Sequence, residues 1–220
     1  MRIAKVLFIC LLLSTGGCSP YTLIQRDIFP DNRPEAEILN QRTALIRTAE
    51  SDISIVSVSK DQWKDILSSR ALSGSFDIEP QDIMPADLFF IILTNTTEAL
   101  LTDISLSCSY SDINIQMLNS ESFYKLLNLS VQKNSNNSDI LSVRRLTSQE
   151  YELDKIDFSK STLIYPFSFV LPLDRICFLA AFPPIPKDQR HFIISLTYST
   201  PAAKKKVDFK FTRFEHREEE

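Results

Sequence analysis

The sequence LFFIILTNTTEALLTDISLSCSY, residues 88–110, decides the fold. It begins with a continuous apolar run, residues 88–93, whose length and bulky side chains are typical of a strand. The polar residues 94–97 end this run, and residues 104–110 then alternate apolar side chains with serine. Alternation with a period of two indicates a strand with one buried face. The stretch therefore predicts two successive β-strands.

Strand signals continue on both sides of this stretch. Residues 53–58 form a short one before it, and Ile113, Ile115 and Met117 alternate with polar residues after it. Many short strands with turn signals between them, and no regular βαβ alternation, indicate a mainly β protein. We expect an immunoglobulin-like β-sandwich over residues 51–214. Further strand signals lie near residues 75–79, 140–146, 150–158, 162–171, 175–182, 190–198 and 205–214.

One or two short helices are predicted as insertions in the sandwich. The first covers residues 59–70, where Ser59 and Gln62 have the spacing of a capping box. Trp63 falls on the apolar side of this helix, so we expect it to be buried in the core. The second covers residues 120–129, which place their apolar side chains on one helical face.

The residues on either side of the predicted sandwich are expected to be less regular. Residues 18–50 are predicted to be a tether, with a short helix over residues 35–49 whose apolar positions share one face. A strand that ends at Arg47 fits the same residues. Residues 215–220 are a charged tail.

The N-terminus has the three-part pattern of an export signal. Two cations precede the apolar residues 6–13, and small residues follow. The segment Thr15-Gly16-Gly17-Cys18 resembles the lipobox of bacterial lipoproteins, in which leucine is usual at the position of Thr15. The resemblance implies loss of residues 1–17, a diacylglyceryl lipid on Cys18 and attachment to the inner or outer membrane of the cell envelope, facing the periplasm or the cell surface. Export without lipid and an uncleaved anchor are the alternatives.

The composition excludes several classes of function. The chain has three glycines, and Gly74 is the only one after residue 17. A dinucleotide-binding fingerprint, a P-loop and a Gly-x-Ser-x-Gly nucleophile elbow each need at least two. The net charge is −4 and becomes about −6 without residues 1–17, which argues against a nucleic-acid binder because such proteins carry a basic surface.

Two cysteines remain in the part of the chain that folds. Cys108 shares a strand face with other apolar residues, and Cys177 lies in an apolar run. An exported protein can form disulfides, so a Cys108–Cys177 disulfide is one interpretation. The other, which we favour, is two buried thiols that act as small apolar side chains.

The most unusual local segment is the proline-rich stretch at residues 182–186. Proline stiffens the backbone, so the segment either joins two strands or presents a rigid apolar surface. In the second case Phe182, Pro183, Pro184 and Ile185 would contact a partner, with little entropy lost on binding. We favour the first interpretation, in which the apolar side chains pack at the end of the sandwich.

No catalytic residue, metal ligand set or cofactor site is predicted. His191 and His216 lack further ligands at the spacings of metal sites, so both are interpreted as surface histidines. Residues 204–206 are three lysines before an alternating strand. They either guard an edge strand against pairing with another chain, which we favour, or attract anionic lipid headgroups.

Three functions are compatible with these observations. The preferred one is a lipid-anchored, non-enzymatic binding or scaffolding module that meets a protein partner in the envelope. The second is an accessory or assembly subunit of a larger envelope complex, which would expose a contiguous apolar patch. The third is a hydrolase with dispersed catalytic residues, which would hold a titratable group in a deep pocket.

Overall fold

The computed structural model describes residues 23–59, 61–63, 86–119, 122, 144–145 and 169–218. By compactness the chain divides into a small unit, Met1–Asp27 with Phe214–Glu220, and a large unit, Ile28–Arg213. The described residues form twelve strands: β1 (Leu23–Pro30), β2 (Glu37–Asn40), β3 (Thr43–Arg47), β4 (Ser51–Ser57), β5 (Asp87–Asn95), β6 (Leu101–Tyr110), β7 (Ile113–Gln116), β8 (Arg144–Arg145), β9 (Phe169–Val170), β10 (Arg175–Phe182), β11 (His191–Ser199) and β12 (Lys204–Glu218).

These strands form two sheets. Sheet 1 has the order β1-β12-β11-β6-β7, and β9 also pairs with β6. Sheet 2 has the order β2-β3-β4-β5-β10-β8. Neighbouring strands run antiparallel throughout sheet 2 and from β12 to β7 in sheet 1. The prediction of a mainly β protein is confirmed.

The hydrophobic core lies between the two sheets, because inward residues from both belong to one buried cluster. Hydrogen bonds link the two sheets at both ends of the sandwich. We call the end at Ser51 and Tyr198 the upper end and the end at Asp87 and Arg213 the lower end. At the upper end Ser51 Oγ donates to the Tyr198 hydroxyl at 3.0 Å, and at the lower end Arg213 Nη2 donates to Asp87 Oδ2 at 2.8 Å. The largest fully buried side chains of this cluster are Tyr198, Phe89, Phe178, Phe182, Phe192, Phe209 and Phe211.

The two sheets differ in how much of their outer face is buried. Leu88, Phe90 and Ile92 of β5 are almost fully buried although they point away from sheet 1. Both faces of β5 are therefore buried, which explains why residues 88–93 show no polar alternation. The outward residues of β6 are serines that are exposed or half-buried, as the alternation over residues 104–110 predicts.

The start of the first predicted helix is confirmed. Ser59 N donates to Gln62 Oε1 at 2.9 Å, and Gln62 N donates to Ser59 Oγ at 3.2 Å. These reciprocal bonds form the capping box. Residues 61–63 are helical and the Trp63 side chain is buried, while the rest of this helix lies outside the described residues.

A β-bulge changes which residues of β6 face the core. Asp103 has a φ of 50°, and the register between β6 and β11 shifts between Thr197 and Ser199. A bulge adds one residue to a strand and so resets the alternation. Leu101 and Ile104 can therefore both point into the core.

The predicted helix over residues 35–49 is wrong. These residues form the β2–β3 hairpin, in whose turn Arg42 N donates to Asn40 Oδ1 at 2.9 Å. The alternative, a strand that ends at Arg47, is confirmed. Apolar residues at adjacent positions can lie on one face of a helix or on the two buried faces of a strand. The hydrogen-bonded pairing of β3 with β4 over five residues favours the strand. Sheet 2 thus begins before residue 51, and β1 occupies part of the predicted tether.

Several predictions fall outside the described residues. They are the signal peptide, Cys18, the strands near residues 75–79 and 150–158, and the second helix apart from residue 122. Strands β8 and β9 lie within the predicted ranges 140–146 and 162–171. Over the part of the chain that is described, no helix is both long enough and apolar enough to cross a bilayer.

Candidate functional site

Two loops meet at the upper end of the large unit. One joins β5 to β6 through residues 96–100, and the other joins β9 to β10 through residues 171–174. They are neighbours because β10 pairs with β5 from Arg175 onwards and β9 pairs with β6 at its first residues. Two segments that are far apart in the sequence thus form one surface.

The side chain of Asn95 holds both loops. Its amide nitrogen donates to Ala99 O at 2.7 Å and to Leu171 O at 3.0 Å. Its carbonyl oxygen accepts hydrogen bonds from the backbone N and the hydroxyl of Thr97, at 3.0 and 2.9 Å. Asn95 is almost fully buried, so these bonds satisfy a polar group that would otherwise be costly to bury. A backbone bond from Leu173 N to Thr97 O, at 3.0 Å, adds a direct link between the loops.

The second loop contains a strained residue. Asp174 N donates to Leu171 O at 3.3 Å, which closes a β-turn with Pro172 and Leu173 at its centre. Leu173 has a φ of 55°, in the left-handed region that favours glycine and costs other residues about 1–2 kcal/mol. Its side chain is 65% exposed, so burial does not offset this cost.

The two loops expose a group of large apolar side chains. Phe169 is 47% exposed, and Leu100 and Leu171 are exposed to a similar degree. We refer to Leu100, Phe169, Leu171 and Leu173 as the apolar tip. Single exposed apolar residues are ordinary, whereas several of them on neighbouring loops make this end a candidate for contact with another molecule. The buried Asn95 network gives this surface a fixed shape.

The charged groups around the tip carry both signs. Glu98 and Asp103 are exposed beside it. Lys205 Nζ lies 2.9 Å from Glu50 Oε1, and the hydrogen bond to Glu50 raises the pKa of Lys205. Lys206 Nζ lies 3.1 Å from Asp208 Oδ1. Two of the three lysines at residues 204–206 are thus paired with carboxylates, which weakens their attraction for anionic headgroups.

The edge-guard interpretation of these lysines stays a prediction, because β1 ends beside Lys210, where Asp31 N donates to Lys210 O at 2.9 Å, and no strand pairing with residues 204–206 on the side away from β11 is described. Strand β12 as a whole lies between β1 and β11 in sheet 1. The lysines pair along β11, where Lys204 is opposite Ser199. Their attraction for lipid headgroups stays a prediction.

The proline-rich segment lies at the lower end, and its predicted role as a partner contact is wrong for two of its residues. Phe182 and Ile185 are almost fully buried in the core, whereas Pro183 is half-buried and Pro184 is exposed. The favoured interpretation, a stiff connection that packs on the end of the sandwich, is confirmed. The two apolar anchors of the segment face inwards, so they offer nothing to a partner.

A buried ion pair fixes this segment. Arg213 Nη1 donates to Ile185 O at 2.8 Å, and Arg213 Nη2 donates to Asp87 Oδ2 at 2.8 Å. The same carboxylate oxygen accepts a bond from Ile185 N at 2.7 Å. The buried Arg213 Nε has no hydrogen-bond partner among the described residues. These bonds join β5, β12 and the proline-rich segment, so we interpret the arrangement as a structural clamp.

The predicted disulfide is absent, and the interpretation of two buried thiols is confirmed. Cys108 and Cys177 are not joined to each other. Cys108 points into the core between the sheets, whereas Cys177 lies between two inward residues of β10 and points to the opposite face. Burial, with a smaller contribution from Asp87, raises the pKa of the Cys108 thiol to about 12. A thiol with so high a pKa is a poor nucleophile at neutral pH.

The described residues contain no group of three metal-ligating side chains. His191 begins β11, is exposed, and its Nδ1 lies 2.9 Å from Thr212 Oγ1. Its interpretation as a strand-end histidine is confirmed. His216 lies in β12, and the structure does not describe its side chain.

No protein-family model matches this chain, and no curated protein matches it. The site therefore has to be judged from its own residues. The sequence analysis missed the apolar tip. The available signal was the run Leu171-Pro172-Leu173-Asp174, in which leucine stands at the turn position where glycine or asparagine is usual.

Proposed function

We propose that this protein is a lipid-anchored lipoprotein of the bacterial cell envelope that acts as a non-enzymatic binding module. Its recognition surface is the apolar tip, and its anchor is the lipid on Cys18. The observation that carries the binding role is a strained, exposed leucine on a rigid loop. Strain without burial is retained where a residue serves another purpose.

The strand order supports an immunoglobulin-like assignment of the sandwich. The path β4-β5-β10-β8 has the order of strands A, B, E and D, and the path β12-β11-β6-β7 has that of G, F, C and C′. Strands β1, β2 and β3 are then additions. The tip consists of the B–C and D–E loops, at the end where antibody variable domains carry B–C and F–G recognition loops. This support is an analogy of fold.

Within the large unit, the first residue and the tip lie at opposite ends. The large unit begins at Ile28, whose carbonyl accepts a bond from Ser57 Oγ at 2.6 Å. Ser57 lies opposite Phe89, near the start of β5, whereas the tip adjoins its end. A nine-residue strand spans about 30 Å. The chain therefore enters the large unit at the end opposite the tip.

A second candidate function is an accessory subunit of a larger envelope complex. The same contiguous apolar surface favours it, because permanent subunits bury such surfaces. The two functions differ in whether the protein is found with its partner at all times.

Photo-crosslinking in membranes tests the proposed surface. The full chain carries benzoylphenylalanine at position 173 or, as a matched control, at the exposed position 184 of the lower end. We expect a discrete protein adduct from position 173 and none of the same size from position 184. The same adduct from both positions, no adduct, or adducts with lipid alone would each contradict the proposal.

The anchor is tested in the same cells with radiolabelled palmitate. Label should enter the wild-type chain and not a Cys18→Ala variant, because the thiol accepts the lipid. Equal labelling of the two chains would show that Cys18 is not the anchor, while leaving the crosslinking result for the tip to be judged separately.

A further inference from the structure

Strand β7 is the outer strand of sheet 1, and its residues are accessible. It pairs with β6 at Tyr110–Ser107, and the described residues include no strand on its other side. Ile113, Asn114 and Gln116 are exposed, and Ile115 is half-buried. The backbone groups along an outer strand can pair with another strand.

The other outer strands carry protection that β7 lacks. Natural edges are guarded by charge, by proline or by irregularity, because an unguarded edge pairs with other chains. Strand β7 has the sequence INIQ, without charge or proline. Three of the remaining outer strands carry such residues: Arg26, Asp27 and Pro30 in β1, Glu37 in β2, and Arg144 and Arg145 in β8. Strand β9, the other outer strand beside β6, has none, but it is only two residues long, and very short strands are themselves poor edges for pairing.

The side chains of β7 and the next residue divide cleanly between two faces. Ile115 and Met117 pack partly against the core, and Ile113, which is 52% exposed, lies opposite the core residue Tyr110. These three form an apolar row at the margin of the core. Asn114 and Gln116 lie on the opposite, polar face. One face of β7 is apolar and only partly buried, and the other face exposes the primary amides of Asn114 and Gln116.

We propose that β7 pairs antiparallel with β7 of a second copy of this chain, centred on Ile115. In that register Ile115 is opposite the partner's Ile115, Ile113 is opposite the partner's Met117, and Asn114 is opposite the partner's Gln116. Apolar side chains meet on one face and amides on the other. A slip by one residue in either direction would put Ile115 opposite an amide side chain, Asn114 or Gln116 of the other copy. The pairing ends before Leu118, whose backbone N donates to Ala181 O of β10 at 2.8 Å. Asp112 therefore lies just beyond the paired residues and does not meet the Asp112 of the second copy.

Such a pair is isologous, because the same surface serves both copies. It joins sheet 1 of each copy into one continuous sheet and extends the apolar row across the junction. Few residues take part, so the contact is weak between molecules in solution. Attachment to one membrane raises the effective concentration of the two copies. This last effect rests on the proposed anchor at Cys18, whereas the pairing does not.

Oxidative crosslinking of the full chain in membranes tests the pairing. Opposite residues of an antiparallel pair have Cα atoms about 4.5–5.5 Å apart, which suits a disulfide. An Ile115→Cys variant should therefore form covalent dimers on mild oxidation. The control is Leu39→Cys on the outer strand β2, where the native side chain is 40% exposed. The native thiols Cys108 and Cys177 are buried and contribute little background. We expect at least about tenfold more dimer from Ile115→Cys, since only its thiols face each other.

A second change makes the test specific. Adding Ile113→Lys to the Ile115→Cys chain places a guarding charge on an exposed position, and should lower dimer formation at least about fivefold. Asn114→Lys, on the polar face, should do the same and is the alternative if Ile113→Lys impairs folding. Leu39→Lys should have no effect. Dimer from Ile115→Cys no greater than from Leu39→Cys, or dimer insensitive to both lysines, would overturn the inference.

The result is separable from the proposed function. Loss of palmitate labelling or of the position-173 adduct, with dimerisation intact, would count against the anchor or the tip alone. Replacement of Leu173 by glycine should leave the dimer fraction unchanged, because the tip and β7 lie at different parts of the fold.

Discussion

The upper and lower ends of the large unit show two ways to hold a loop on a β-sandwich. At the upper end, a neutral amide, Asn95, binds two loops whose leucines point outwards. At the lower end, a buried ion pair, Arg213–Asp87, binds a loop whose phenylalanine and isoleucine point inwards. The lower loop therefore adds apolar side chains to the core, whereas the upper loops leave theirs exposed to solvent and gain no stability from burying them.

This difference means that a run of prolines does not indicate which end of the large unit exposes its apolar side chains. The lower segment has three prolines, which stiffen its backbone, yet its phenylalanine and isoleucine side chains are buried in the core. The upper loops are held together by Asn95, which lies 76 residues before Leu171, and by the backbone bond from Leu173 N to Thr97 O. Variants at the two ends should accordingly separate stability from recognition.

The largest expected effect is at the lower end, with Arg213→Met. The Asp87 carboxylate would lose its guanidinium partner and two loop carbonyls would lose a donor, so we expect the free energy of unfolding to fall by about 3 kcal/mol. Urea denaturation of the full chain measures this. The double variant Arg213→Met, Asp87→Asn should recover part of the loss, because no buried charge is then left alone. A loss below about 1 kcal/mol would show that the clamp is not structural.

A smaller effect is expected at the upper end, with Asn95→Ala. Four hydrogen bonds disappear, and the carbonyls of Ala99 and Leu171 lose their shorter bonds and keep only the longer ones from Thr97 Oγ1 and Asp174 N. The free energy of unfolding should therefore fall by about 2 kcal/mol. The position-173 adduct should weaken as well, since the loops lose their fixed arrangement. Asn32→Ala, at an exposed asparagine, is the matched control. If the Asn95→Ala chain has wild-type stability and gives as much position-173 adduct as the parent chain, Asn95 does not fix the shape of the apolar tip.

The smallest effect on stability, and the sharpest on recognition, is expected from Leu173→Gly. Glycine relieves the cost of a positive φ but has more entropy in the unfolded chain. The free energy of unfolding should therefore rise or stay within about 1 kcal/mol. Binding of the partner found by crosslinking should fall at least about tenfold, because an exposed apolar anchor is removed. A clear loss of stability with unchanged binding would contradict this prediction, because it would show that Leu173 contributes to folding and not to recognition.

Local patterns predicted the elements that depend on local chemistry. The apolar run and the serine alternation of residues 88–110 gave two strands in the right order, and Ser59 and Gln62 form the capping box that their spacing indicates. The interpretation of Cys108 as a core thiol holds for the same reason, since its face follows from alternation along one strand.

Features set by distant pairing were beyond the sequence. Residues 35–49 place apolar side chains where a helix or a hairpin could use them, and the choice depends on the neighbouring strand β4. The apolar tip depends on Asn95 reaching Leu171, which lies 76 residues further along the chain. No short window of sequence contains both residues, so the sequence alone does not predict the apolar tip.

The burial of the central strands β5 and β10 on both faces has a consequence for the exchange of their amide hydrogens with solvent. The peptide groups of β5 and β10 are paired with each other and shielded above and below by apolar side chains. Water can reach their amide hydrogens only when a large part of the fold opens. Deuterium should therefore enter these two strands last, at a rate that reports complete unfolding, while β7 at the margin of sheet 1 exchanges through small local openings.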